Sequence, residues 1–307
     1  MFNISEFTTQ DQLDFNNART RAFMRRVLGF ISGNDTKLMA WDEVKDKLKL
    51  RGLIARGIQT VPLDKIVGSV GRFQDFDNAF LPINNTLGRR WRSINHAFYD
   101  DIDLPPVQLY KVGEVYFVLD GNHRVSVARE HGASYIDAEV SEAMTRVPPT
   151  ADDLQADTLD ILGEYAEFLE RTHLDILRPE QNIRFSIGGA YQRLLEHIAV
   201  HRYFMGLDLK RDVDEDEAVT DWYDNVYMPV VNAVREEDVL KEFPRRTEAD
   251  LYLWVIDHQH YLREECECDI SPEEAATDYA DQFAPRPPLK RMQDAIGHLV
   301  HSITDPD

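Results

Sequence analysis

Residues 115–132, VYFVLDGNHRVSVAREHG, constrain the fold more than any other stretch of the chain. Val115 to Leu119 form an apolar run of strand length, Asp120-Gly121 break it, and from Asn122 the spacing turns helical until Gly132. The flanks supply partners for that strand. Val107 to Tyr110 reads as a strand, Lys111 to Glu114 as a turn and Tyr135 to Val140 as another strand. Residues 105–140 are therefore a hairpin followed by a strand–helix–strand unit, which makes a small mixed sheet.

The rest of the chain is arranged around this unit. Thr8 to about Gly52 is helical in pattern, with Phe15, Ala18, Ala22, Val27 and Phe30 at helical intervals, and reads as an arm of two helices. Val61 to Ile66 reads as a short strand with Pro62 near its start, followed by a glycine-rich loop. The prolines of RVPPTADD mark a boundary, beyond which Leu159, Leu162, Ala166 and Leu169, then Leu194, Leu195 and Ile198, then Leu251, Trp254, Val255 and Tyr261 form helical stripes. KRDVDEDEA (210–218) reads as a solvated loop or helix start, and FAPRPPLKR (283–291) as a proline-rich linker before a last short helix. The fold class expected is α+β: a helical arm (1–54), a small mixed sheet with helices (55–147) and an all-α domain (148–307).

Composition narrows the function. The 307 residues are 43% hydrophobic, enough for a real core, and carry 55 acidic against 34 basic side chains, a formal charge of −21. That field repels phosphate backbones and anionic lipid, which weighs against nucleic acid as a general partner. No apolar run approaches the length of a membrane span, and MFNISEFTTQ lacks the pattern of a signal peptide. Cys266 and Cys268 are too few for a disulfide framework and fit a reducing compartment. A cytoplasmic protein is expected.

The chemistry concentrates at the strand–helix turn. A helix start exposes unpaired amides and the positive end of the helix dipole, and Gly121, Asn122, His123 and Arg124 add a close backbone approach and side-chain donors for a phosphate. Asp120 would repel a bare phosphate, so it reads as a Mg²⁺ ligand or a proton acceptor beside one. Asp120-Gly121 as a tight turn, Asn122 as a helix cap and Arg124 as a surface partner is an equally open reading. GSVGRFQDFD (68–77) offers a second anion nest in Gly68, Ser69, Gly71 and Arg72, with Asp75 and Asp77 for a metal or a substrate amine or hydroxyl, although such loops are more often structural. Arg89, Arg90 and Arg92 add positive charge or form a solvated helix face.

Other constellations are weaker. His197 and His201 lie four apart with Glu196 beside them, but read better as buried or interfacial histidines than as metal ligands. His258, His260, Cys266 and Cys268 do not converge on zinc from a helix, since residues two apart point about 200° from each other. Trp222, Tyr223, Tyr227, Tyr252 and Trp254 read as core aromatics rather than a base-stacking surface. Thr247 and Asp250 form a short-armed capping box.

TVPLDKIVGSVGR, followed by VYFVLDGNHRVSVAREHGASYIDAEV, resembles the ParB/sulfiredoxin superfamily over residues 55–145. LLEHIAVHRYFMG and FPRRTEADLYLWVIDHQHYL resemble a bacterial family that joins such a domain to a helical one. Sulfiredoxins carry a catalytic cysteine where this chain has Asn122, and segregation ParB proteins read Gly-Glu-Arg-Arg and carry a basic DNA-binding domain. Asp120 to Arg124 is most similar to the Asp-Gly-x-His-Arg turn of the free-serine-kinase branch. The resemblance implies that Gly121, His123 and Arg124 hold the phosphates of ATP or another nucleoside di- or triphosphate, and that Asp120 serves Mg²⁺ or proton transfer to a small hydroxyl acceptor or water. The kinase's further acid would have to be Asp75 or Asp77. A nucleotide-gated regulator with a protein partner or a changing oligomer, and a DNA-associated ParB relative, are the alternatives.

Overall fold

The computed structural model describes residues 7–33, 35–266 and 268–283. The chain divides after Glu167 into two compact units.

In the first unit, helix α1 (Thr9–Ser32) opens with a capping box in which Thr8 and Asp11 each accept from the other's backbone amide, and closes at Gly33 in the left-handed region, φ 73°. Phe15, Ala18 and Ala22 are buried as the spacing predicts, whereas Val27 and Phe30 are 40% and 90% exposed. Val27 lies about 140° around the helix from Ala22, off the buried stripe. The arm is also not wholly helical. Between α1 and α2 (Trp41–Lys47), Met39–Ala40 form β1, which pairs in parallel with β3 (Ile66–Ser69). The strand predicted over Val61 to Ile66 is two strands. Val61 and Pro62 end the long β2 (Arg51–Pro62), a 3₁₀ turn covers Leu63–Lys65, and Ile66 opens β3.

Helix α3 (Gly88–Tyr99), β4 (Val107–Val112), β5 (Val115–Asp120), α4 (Asn122–Glu130) and β6 (Tyr135–Met144) complete the unit. The six strands are ordered β1-β3-β5-β4-β6-β2. β1, β3 and β5 are parallel; β4 runs antiparallel to β5 and parallel to β6, and β2 pairs antiparallel with β6.

The apolar run of β5 has a physical cause: from Val115 to Val118 both faces of the strand are covered, whereas Leu119 beyond them is 41% exposed. Val118 and Tyr116 face a cluster that includes Phe15, Phe76, Phe80, Trp91 and Val125. Phe117 points the other way, 5.3 Å from the ring of Trp41, which also packs 5.0 Å from Tyr110. Trp91 is fully buried and its indole N–H donates to Ser126 Oγ at 2.9 Å, so α3 and α4 are bonded as well as packed.

The second unit is helical, as expected. After the end of α5 (Ala156–Thr172) come α6 (Leu174–Leu177), α7 (Ala190–Leu209), α8 (Glu215–Trp222), a π turn at Tyr223–Tyr227, α9 (Met228–Glu236), α10 (Glu248–Cys266) and α11 (Pro272–Phe283). The acidic run 210–218 is a loop and then the start of α8, where Asp214 caps the Asp216 amide. Trp222, Tyr223, Tyr227 and Tyr252 are buried in the core. Thr247 and Asp250 form the predicted box, and Asp250 also accepts from the Ser186 amide and hydroxyl. The last short helix expected after residue 291 lies outside the described residues. Among the described residues no helix is long and apolar enough to cross a membrane.

Phe117 is fully buried. Phe117→Ala should destabilise the chain by about 3–5 kcal/mol in a urea titration, the usual cost of a large core truncation.

Candidate functional site

β3 and β5 are parallel neighbours with Ser69 opposite Val118. The loop after Ser69 and the turn after Asp120 therefore leave the same edge of the sheet, where the carboxyl ends of parallel strands commonly present ligands to a helix start. The topology brings together two motifs that lie about fifty residues apart in sequence.

At the turn, Gly121 adopts φ 106° and a Cβ there would lie 2.5 Å from Val107 Cγ1, so both conformation and packing require glycine. Asn122 is the first residue of α4 rather than its cap; the cap is Gly121, with no side-chain bond. Arg124 is turned inward. It donates to Asp120 Oδ2 at 2.6 Å, to the Pro106 carbonyl at 2.9 Å and to the Pro105 carbonyl, and its side chain is 12% exposed. That guanidinium braces the turn against the start of β4 and is not an open phosphate donor. Asp120 remains 65% exposed.

In the second loop the residues divide. Gly68 lies inside β3, where a Cβ would meet the Phe117 ring at 2.4 Å and the Met39 carbonyl at 2.5 Å, so packing accounts for it. Ser69 is buried, donating to the Val118 carbonyl and accepting from the Arg72 amide at 3.2 Å. Asp77 is buried and committed to the fold. Its Oδ1 accepts from the amides of Ala79 and Leu81, and its Oδ2 accepts from Arg25 at 3.1 Å. The loop's own architecture thus explains this acid, and a metal would have to displace those donors. Asp75 pairs with Arg72 at 2.9 Å. Gly71 is exposed, has open space where a Cβ would sit, and is not in the left-handed region. No steric demand of the fold accounts for it.

Between these loops sits His123, whose ring meets Phe76 edge to face at 5.4 Å. Burial first, then Arg72 and Arg90, push its pKa from 6.5 down to about 4, with Asp75 opposing, so the imidazole is neutral near pH 7. His123 Nδ1 and Asn122 Oδ1 are both buried without a hydrogen-bond partner among the described residues. Burial also lowers the Arg124 pKa, with Asp120 opposing and Arg90 adding to the effect. Arg90, in the first turn of α3, acts on both groups yet makes no hydrogen bond or ion pair among the described residues. The sequence favours a solvated helix face for Arg90; only the fold shows that α3 delivers it to the turn.

The other constellations find separate partners. His197 meets the Tyr252 hydroxyl at 3.2 Å, His201 meets Asp221 at 2.7 Å, His258 meets Asp278 at 2.6 Å and His260 meets Glu264 at 3.3 Å. Cys266 and Cys268 are bonded to each other across one residue, a local link that ties no distant segments. No group of three or more metal-ligating side chains occurs among the described residues.

A family model described as "Domain of unknown function (DUF4032)" matches residues 189–284, within the second unit. Among solved structures the chain is similar to a sulfiredoxin from Arabidopsis thaliana, at 17% identity and a TM-score of 0.21, over 27% of this chain and 82% of that one. This likeness is too slight to carry an argument. The comparison with curated proteins gave no match.

Two outcomes follow from the geometry. Because the folded His123 pKa of about 4 lies below the unfolded value of 6.5, the contribution of this residue to stability is full above about pH 6.5 and is lost as pH falls towards 4, where the unfolded chain takes up a proton the fold resists. The loss is about 3 kcal/mol, and in urea titrations at stepped pH His123→Gln should flatten that part of the slope. Gly68→Ala should cost about 1–3 kcal/mol by overpacking, while Gly71→Ala should stay within about 0.5 kcal/mol by the same measurement.

Proposed function

We propose that the first unit binds a nucleoside di- or triphosphate at the carboxyl ends of β3 and β5. The observation that carries this is Arg90: a chain of formal charge −21 holds a guanidinium that makes no hydrogen bond or ion pair among the described residues and lies near enough to His123 and Arg124 to lower the pKa of both. Arg124 and Arg72 have carboxylate partners, so Arg90 is the cation here that an anion would complete. In this reading Arg90 and Arg72 hold phosphate oxygens, and the α4 amides of Asn122 and His123 point at them. His123 donates from a neutral ring, and exposed Gly71 lets the backbone approach. Arg124 supports the turn from behind.

Binding without substantial turnover is favoured by the acids. Asp75 is paired with Arg72, Asp120 with Arg124, and Asp77 is used by its own loop. Phosphoryl transfer to a small hydroxyl compound or water is the second reading, and Asp120, the most exposed of the three, supports it. Mg²⁺ would then be held by ligand phosphates together with Asp120, whose second oxygen is not used by Arg124. The similarity of Asp120 to Arg124 to the free-serine-kinase turn supports this reading, to which the comparisons add nothing.

The test is thermal denaturation of the full chain with ATP, CTP, GTP, ADP and inorganic triphosphate, each with and without Mg²⁺. At a hundred times its dissociation constant a ligand should stabilise the chain by about 2.7 kcal/mol. Arg90→Ala should abolish the shift while leaving the unliganded melting temperature unchanged. No shift with any of them, or one indifferent to Arg90→Ala, would reject the proposal. Release of phosphate that Asp120→Asn abolishes would favour transfer over gating.

A further inference from the structure

In the second unit α7 is apolar on two opposite sides. Tyr191, Leu194 and Ile198 on one side are buried in the core of the unit. Val200 lies about 200° around the helix from Ile198. With Tyr203, Phe204 and Leu207 it forms an outer stripe whose side chains are 56%, 64%, 58% and 55% exposed. The Tyr203 and Phe204 rings meet edge to face at 5.5 Å in the middle of that stripe. A helix that is apolar on both sides is one with neighbours on both, and a contiguous exposed apolar stripe marks an interaction surface.

Two observations identify the neighbour as a second copy of this chain. The first is spacing. The steps from Val200 to Tyr203, Phe204 and Leu207 read the same from either end. Placed antiparallel about a two-fold axis between Tyr203 and Phe204, the stripe therefore fits itself, with Val200 opposite Leu207 of the second copy and the aromatic rings grouped at the axis. The second is charge. The chain has a formal charge of −21, yet residues 197–207 contain no acid. The contact itself thus opposes no like charges, and acids farther away are screened beyond about 8 Å at physiological salt. Glu196 and Lys210 lie about four turns apart on one flank of the helix. The antiparallel arrangement sets Glu196 of each copy against Lys210 of the other. Both are exposed; Lys210 makes no side-chain hydrogen bond or ion pair among the described residues, and Glu196 accepts only from its neighbour Gln192, at 3.3 Å.

We propose that the chain forms a two-fold dimer through antiparallel α7 helices, with Val200, Tyr203, Phe204 and Leu207 at the centre and a Glu196–Lys210 pair at each end. The stripe and its flanks offer on the order of 1,200 Å² to such a pair, the lower end for a specific interface, so the dimer is reversible.

Sedimentation velocity of the full chain over a micromolar concentration series tests this. The wild type should pass from monomer to a species of twice its mass. Leu207→Glu buries an unpaired charge in each half of the contact and should weaken association by at least about a hundredfold, while the far-UV circular dichroism of this exposed-site variant stays unchanged. Lys210→Glu opposes like charges at both ends and should weaken association about tenfold, and adding Glu196→Lys in the same chain should restore it. A wild type that stays monomeric throughout would overturn the proposal and leave the face to a different protein. So would a dimer indifferent to Leu207→Glu, which would be built on another surface, or a charge exchange that fails to restore association, which would exclude the antiparallel pairing.

Discussion

The first unit depends on the parallel pairing of β3 with β5. A parallel neighbour forces both strands to end on the same side of the sheet, and here each end continues into a polar loop. Burial of both faces of β5, by Phe117 against Trp41 on one side and Val118 in the main cluster on the other, fixes the register of that pair. A one-residue slip would exchange these two faces and misalign both loops.

The second organising fact is competition for arginines. The chain has fewer cations than anions, and most of those near the sheet edge are already engaged: Arg124 by Asp120 and two proline carbonyls, Arg72 by Asp75, Arg25 by Asp77. Arg90 is the exception at this edge. The Asp-Gly-Asn-His-Arg turn is therefore better understood as a braced platform than as a row of donors. Its arginine holds the shape, and burial keeps its histidine neutral near pH 7.

The sequence made the centre of this arrangement legible. The run from Val115 to Leu119 and the helical spacing from Asn122 require a strand meeting a helix, and the two polar loops announce themselves by glycine and charge. Several elements left no local signal. β1 is two residues long and exists only because β3 offers an edge. Most of β2 is exposed and shows no apolar alternation to read. Asp77 looks the same on paper whether it faces a ligand or its own loop amides. Arg90 sits thirty residues before the motif, and only the packing of α3 on α4 through Trp91 and Ser126 brings it within electrostatic reach of the turn. The helical half was legible as helices, but not which side chains of α10 are exposed, since Tyr261, 55% exposed, shares a stripe with the buried Leu251 and Val255.

The central claim is that a polyphosphate completes the charges around His123. Imidazole ¹⁵N resonances of His123, followed through a pH titration with and without saturating ATP, test it most directly. The account predicts a pKa near 4 in the free protein that rises when the phosphates are bound, because added negative charge stabilises the imidazolium. A His123 titration unchanged by ATP and by inorganic triphosphate would contradict it.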